Sequence, residues 1–471
     1  MKSPLPILAS LLCSVAVTKA RQPNIVFILA DDLGYGEVGC FGQKLMATPN
    51  LDRMAAEGMK FSSFYAGAPV CGPSRSVLMT GLHTGHTRIR GNALQSNSKA
   101  QILRAGDLTV SEVLQKAGYK TALVGKWGLG CEGSEGHPNR KGFDYFYGYL
   151  DHSHAHNPYP PFIVRNSERV PLRNGLVSGS DKGYTSGTGA GIAASPVDFV
   201  PDLMTDEVLK WVASCKDRPF FLFWSLVTPH ANNEGTKFGR GQEVPDLGDY
   251  KNRPWPQPDK AHAAIVSRMD ADIGRLLDLL KKTGIDENTL IIFTSDNGHH
   301  REGGNNPKLF AAAGPLTGMK RDLTDGGVRV PTIARWPGTI PPGSEVRKAQ
   351  GFADILPTFA DLAGATLPRP DQFDGTSFAN LLRNVPGESP SRKPFYWEFH
   401  EMGFSQAVII DERWKAIRLK RRDAPIRLFD LQNDVAERND LAAEHPDLVA
   451  KAKSLFESER TDLTEWPIRE K

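Results

Sequence analysis

The sequence predicts an α/β protein: a mostly parallel sheet flanked by helices, followed by a small C-terminal α+β domain with an antiparallel sheet. Three observations predict it. From Pro23 onward short apolar runs alternate with helical patterns, the order expected of parallel strands joined by crossover helices. Runs such as NIVFILA at 24–30 and PFFLFWSLV at 219–227 carry no polar alternation, as befits strands covered on both faces. After about Arg392 the pattern changes to short segments at 395–399, 406–410 and 415–419, closed by a helix near 446–458. The expected division is therefore a leader over 1–20, a large domain over 21–390 and a small one over 391–471.

The elements follow in order. Lys2, the apolar stretch from Leu5 to Val17 and the small residue Ala20 read as a cleavable secretory signal. The stretch is short for a bilayer span, so export to the periplasm or outside the cell is expected, without stable membrane insertion. Losing Lys2 and Lys19 takes the net charge from +3 to +1, which gives no bulk attraction for nucleic acid. With 40% hydrophobic and 24% charged residues the chain is ordinarily globular. Cys40, Cys71, Cys131 and Cys215 would remain after cleavage, too few for a disulfide scaffold in a chain this long.

After the first strand, Thr48 as N-cap and Pro49 in the first turn open a helix that Gly58 closes. A helix over 108–118 leads to a strand at 120–124. Residues 151–199, rich in Gly, Ser, Asn and Pro, predict a long surface excursion. The 219–227 strand, an irregular stretch over 231–260, a long amphipathic helix over 265–282 and a strand at 289–294 complete the large domain. The GxGxxG spacing at Gly34–Gly39 follows a strand but opens no helix at once, so it is not read as a dinucleotide fingerprint.

Polar residues cluster where the buried strands end. Asp31-Asp32, Lys126, His230 and Asp296-Asn297 each lie just beyond one, the edge where open parallel sheets bind ligands. The carboxylates and the amide are hard oxygen donors, suited to Ca2+ or Mg2+. Between these strands, Cys71-Gly72-Pro73-Ser74-Arg75 places a cysteine at a helix start, where backbone N–H groups favour an anion. Read from the residues alone, Cys71 is either an activated thiolate or a buried structural cysteine.

The Cys-x-Pro-Ser-Arg motif resembles the signature of the type I sulfatases, in which the cysteine is oxidised to formylglycine by a maturation enzyme. The likeness extends over 24–32, CGPSRSVLMTG at 71–81, 125–127, 295–298, GMKRDLTDGGVRVP at 318–331 and 428–431. It implies an alkaline-phosphatase-like core, one Ca2+ on Asp31, Asp32, Asp296, Asn297 and the formylglycine at Cys71, and sulfate handling by Arg75, Lys126, His230 and Lys320. His230 would protonate the leaving oxygen. The family segment commonly reads Gly-Lys-Trp-His-Leu-Gly, whereas this chain has Gly128 in place of the histidine credited with sulfate release. His154, His156 or His300 is expected to enter the crevice in its stead.

The resemblance extends to sulfatases of polysaccharides, so a sulfated carbohydrate, possibly of galactose type, is the expected substrate. Arg90, Asn92, His154, His156, His300 and Glu302 are the candidate sugar contacts. A phosphodiester or phosphonate monoester hydrolase of the same superfamily is the nearest rival. A noncatalytic sulfated-glycan-binding protein would follow if Cys71 stays unmodified.

Overall fold

The computed structural model describes residues 22–468 apart from 94–97, 182–187, 216–217 and 387–390. The expected leader lies outside these residues, as does the expected domain boundary at 390.

A ten-stranded sheet forms the core. From one edge its order is Ser344–Val346, Met59–Phe61, Thr332–Arg335, Thr289–Ser295, Asn24–Ala30, Phe220–Ser225, Lys120–Lys126, Tyr145–Tyr149, Phe162–Arg165 and Glu168–Pro171. The five central strands, Thr289–Ser295 through Tyr145–Tyr149, run parallel. Beyond them the neighbouring pairs turn antiparallel on both sides, apart from the parallel outermost pair Ser344–Val346 and Met59–Phe61.

The central strand shows why its sequence is apolar throughout. Ile25, Phe27 and Leu29 enter one hydrophobic core, while Val26, Ile28 and Ala30 enter the other. Successive side chains of a strand point to opposite faces, and helices cover both faces here. The long helix Gln257–Thr283 contributes Val266, Ile273, Leu277 and Leu280 to the second core. It starts eight residues before the expected position, because Pro258 is accepted in its first turn.

Two local expectations change. Thr48 precedes the helix Pro49–Ala56 but makes no side-chain cap; its hydroxyl accepts the Gly39 N–H at 2.8 Å instead. The excursion over 151–199 is not wholly irregular: it supplies two antiparallel strands, Phe162–Arg165 and Glu168–Pro171, that extend the sheet. A helix, Val200–Ala213, follows directly with Pro201 in its first turn.

The C-terminal sheet has four antiparallel strands, Phe395–Phe399, Ser405–Ile410, Trp414–Arg418 and Arg427–Asp430. Its faces have different partners. Trp397, Ile409, Ile417 and Phe429 pack against Tyr65, Val70 and Val328 of the large domain. Tyr396, Val408 and Leu428 pack on Ala452 and Phe456 of the closing helix Pro446–Ser458. Among the described residues no helix is long and apolar enough to cross a membrane.

Candidate active site

Parallel register brings the strand ends to one edge. Asp31 and Asp32 follow the central strand, Asp296 and Asn297 follow its neighbour Thr289–Ser295, and Lys126 ends Lys120–Lys126. All five side chains are buried. The helix Cys71–Thr80 points its N-terminus at them, with Val70 as N-cap and Cys71 4% exposed.

Opposite charges hold this cluster together. Lys126 Nζ donates to Asp31 Oδ2 at 2.7 Å. Arg75 gives its Nε and one terminal nitrogen to Asp296 Oδ2, at 3.0 and 2.8 Å. Its other terminal nitrogen donates to the Lys126 carbonyl at 3.0 Å and to Ser225 Oγ. Lys320 Nζ donates to Asp32 Oδ2 at 2.7 Å and to Glu302 Oε2 at 2.8 Å. Burial opposes charge on Asp31 and Asp32, yet Lys126 beside the first and Lys320 beside the second hold both well below the usual carboxylate range. Asp296 goes the other way, pushed up to about 8 by burial and by Asp31.

The donor set fits a hard divalent cation. Asp31 Oδ1 and Asn297 Oδ1 are buried with no hydrogen-bond partner, and such orphans carry a desolvation cost unless something polar meets them. Asp32 joins the same cluster: its N–H donates to Asp296 Oδ1 at 3.1 Å and its Oδ1 accepts from Asn297 Nδ2 at 2.7 Å. Oxygen donors of this kind suit Ca2+ better than any soft metal.

Burial pushes the Cys71 thiol up, with Asp31 and Asp296 adding to the effect against Lys126. Asn92, a candidate sugar contact from the sequence, is placed directly at this residue. Its Oδ1 accepts the Gly72 N–H at 3.0 Å and its Nδ2 is 3.5 Å from Cys71 Sγ.

Above Cys71 opens a cavity of about 620 Å³, whose wall includes Asn92, His152, His156, His230, Lys320 and Glu401. His230 Nδ1 meets the Ala231 carbonyl at 2.7 Å, so that nitrogen carries the proton and Nε2 faces Lys320 Nζ at 3.2 Å. Burial and the Lys320 ammonium push His230 down to about 3. His156 stacks on His230 with ring centres 4.7 Å apart and pairs with Glu234.

Other sequence candidates sit elsewhere. Arg90 is wholly buried and donates to Glu398 Oε1 at 2.7 Å and to the Thr461 carbonyl at 2.8 Å. His154 packs between Tyr149 and Phe162, its Nε2 on the Phe162 carbonyl. His300 is buried behind His230, with rings 6.0 Å apart, and its Nδ1 accepts the Glu302 N–H. Glu302 spends its two oxygens on Lys320 and Arg321.

Sequence reasoning passed over His152, Arg321, His400 and Glu401, which also line the cavity. The last two directly follow the strand Phe395–Phe399. Applying the strand-end rule to the antiparallel sheet would have found them.

An anion-ready helix start, buried cations and hard oxygen donors at the carboxyl edge of an α/β sheet define a hydrolase of oxyanion esters. The chain belongs to the sulfatase family: the Sulfatase model matches residues 23–365, and the N-sulphoglucosamine sulphohydrolase C-terminal model matches 319–461. It is a sulfuric ester hydrolase, and the core has the expected alkaline-phosphatase-like architecture. Arylsulfatase G of Rattus norvegicus is 31% identical over 500 residues, covering 95% of this chain and 88% of that protein. N-acetylgalactosamine-6-sulfatase of Rattus norvegicus is 31% identical over 408 residues, covering 83% and 71%. Among solved structures, Ps i-CgsB in complex with k-i-k-neocarrahexaose aligns with a TM-score of 0.76 at 28% identity, covering 96% of this chain and 95% of that one.

Proposed function

We propose that the protein hydrolyses sulfate esters of a carbohydrate, using a formylglycine made from Cys71 and one Ca2+, after export from the cell. The observation that carries this reading is Cys71 itself, buried at a helix N-terminus on the floor of a polar cavity beside Asp31, Asp296 and Lys126. The relatives named above include an N-acetylgalactosamine-6-sulfatase and a protein solved with a neocarrahexaose, which supports a sugar as the esterified alcohol. Its cognate maturation enzyme would be a transient partner.

Asp31, Asp32, Asp296 and Asn297 would hold the cation, which supplies charge neutralisation for the sulfate oxygens. A formylglycine at residue 71 would supply the attacking oxygen. The chain's own groups do the rest. Arg75 fixes Asp296 and the Lys126 carbonyl in place, so it orients the cluster from behind. Lys126 and Lys320 present ammonium groups to the developing negative charge, the kind of preorganised stabilisation that dominates such sites. Lys320 stands 3.2 Å from His230 Nε2, and together they deliver a proton to the departing sugar oxygen. Asn92 steadies residue 71 through the Gly72 N–H.

Mass spectrometry of the peptide containing residue 71 tests this, on protein co-expressed with a formylglycine-generating enzyme. Loss of the thiol in favour of an aldehyde, with release of sulfate from sulfated monosaccharides, is expected. A thiol that persists beside a competent maturation enzyme overturns the mechanism.

A further inference from the structure

Glu401 brings a carboxylate to the cavity from the C-terminal sheet, in the turn between strands Phe395–Phe399 and Ser405–Ile410. Its Oε1 accepts the Asn92 N–H at 3.3 Å, and its Oε2 accepts from Arg321 Nε at 3.4 Å. Both contacts are longer than ordinary N–H···O bonds, and a carboxylate has room for about four. Glu302, by contrast, is gripped at 2.8 and 2.7 Å by Lys320 and Arg321. The Glu401 side chain is 24% exposed. Through Asn92, whose Nδ2 lies 3.5 Å from Cys71 Sγ, this lightly held acceptor neighbours residue 71.

The backbone on both sides of the Glu401–Arg321 contact is unusual. Arg321 adopts φ +77° and Met402 φ +58°, values that non-glycine residues seldom hold and that collect at ligand sites. Both residues line the cavity, one from the loop that carries Lys320 and the other from the C-terminal hairpin. The first turn is pinned by the Arg321 N–H on the Pro69 carbonyl at 2.9 Å. The second starts from His400, whose Nε2 meets Glu398 at 2.9 Å. Among the described residues of the cavity wall, the formally charged side chains are Lys320, Arg321 and Glu401. Asp32 and Glu302 already match Lys320, and Glu302 and Glu401 match Arg321. Beyond the sulfate, then, the wall offers an acceptor and no unmatched cation.

We infer that Glu401 selects the sugar: its carboxylate accepts hydroxyl groups of the ring that bears the sulfate and disfavours a second anionic group there. The inference rests on the sulfatase reading above and names its substrate class, a sugar monosulfate without a further sulfate or carboxylate on the same ring. A hydroxyl donates to either Glu401 oxygen. An added sulfate or carboxylate has no proton to give and meets like charge, so discrimination comes from repulsion as well as from attraction.

Wild type, Glu401→Gln and Glu401→Ala are matured together, and rates are normalised to the aldehyde content at residue 71. No aldehyde in the wild type, or no sulfate released from any sulfated sugar, refutes the sulfatase reading before the variants are compared. The substrates are monosulfates of galactose, N-acetylgalactosamine and N-acetylglucosamine, and disulfates of the same sugars. Wild type should favour its best monosulfate over the matching disulfate by at least about 10-fold in kcat/KM. Both variants should raise KM for that monosulfate about 10–100-fold with a smaller change in kcat, as for loss of a hydrogen bond to a charged acceptor. Both should also narrow the preference for the monosulfate. A wild type that prefers the disulfate, a preference within about threefold of wild type in both variants, or a loss confined to kcat each overturns the assignment.

Discussion

Arg90 and Glu398 meet at 2.7 Å with both side chains wholly buried, and the pair ties the segment after the Cys71 helix to the first strand of the C-terminal sheet. Glu398 also accepts from Arg460 at 3.2 Å and from His400 at 2.9 Å. Removing one partner of a buried pair leaves an uncompensated charge, which costs about 3–5 kcal/mol. Arg90→Met should therefore lower stability by that amount in chemical denaturation. A loss under about 1 kcal/mol, as for a surface pair, would show that Glu398 is satisfied without Arg90.

The same carboxylate sets an acid limit. Although burial raises it, hydrogen bonding from His400 and the charge of Arg90 hold Glu398 at about 2, against an ordinary 4.5. A folded value below the unfolded one means stability fully present above about pH 4.5 and lost as pH falls towards 2. The difference corresponds to about 3 kcal/mol. Glu398→Gln should be less stable than wild type at pH 7, with the gap closing as the medium is acidified through that window. Parallel stability curves for the two proteins would assign the acid limb to other groups.

How far the sequence foretold this arrangement depends on how local each determinant is. Strand Asn24–Ala30 was legible because its alternate residues feed two cores, and the polar pair after it had only the sheet edge to occupy. Asp296, Asn297 and Lys126 followed by the same logic. The edge strands Phe162–Arg165 and Glu168–Pro171 were not legible, because a half-exposed strand carrying Arg165, Glu168 and Arg169 has no continuous apolar run. Arg90 was misplaced for a different reason. Its partner Glu398 lies 308 residues away, and no local pattern reports such a pairing. His152, His154 and His156 share one short segment, and the turn made by Asp151 leaves the rings of His152 and His156 on the cavity wall and that of His154 packed on Tyr149 and Phe162.

Cation binding should be visible without substrate. Ca2+ bound by Asp31, Asp32, Asp296 and Asn297 would satisfy the orphaned Asp31 Oδ1 and Asn297 Oδ1. A ligand present at 100 times its Kd stabilises the fold by about 2.7 kcal/mol. Chelator treatment should lower Tm, added Ca2+ should restore it, and Asn297→Ala should weaken the response. Identical melting curves with Ca2+ and with chelator would count against a cation at these residues.

Lys320 offers the sharpest division between binding and chemistry. It is held as an ammonium by Asp32 and Glu302, and these carboxylates keep it above its ordinary range despite burial. Replacing it with Met removes one cation from the cavity wall and its 3.2 Å contact with His230 Nε2. Losing one preorganised charge of this kind typically costs about 10²–10³-fold in kcat. Glu302→Gln keeps the ammonium but loosens its hold, so its effect should be smaller and in the same direction. If Lys320→Met raised KM alone and left kcat intact, Lys320 would be binding the ground state and the transition state equally, and the proton delivered to the sugar oxygen would have to come from His230 without it.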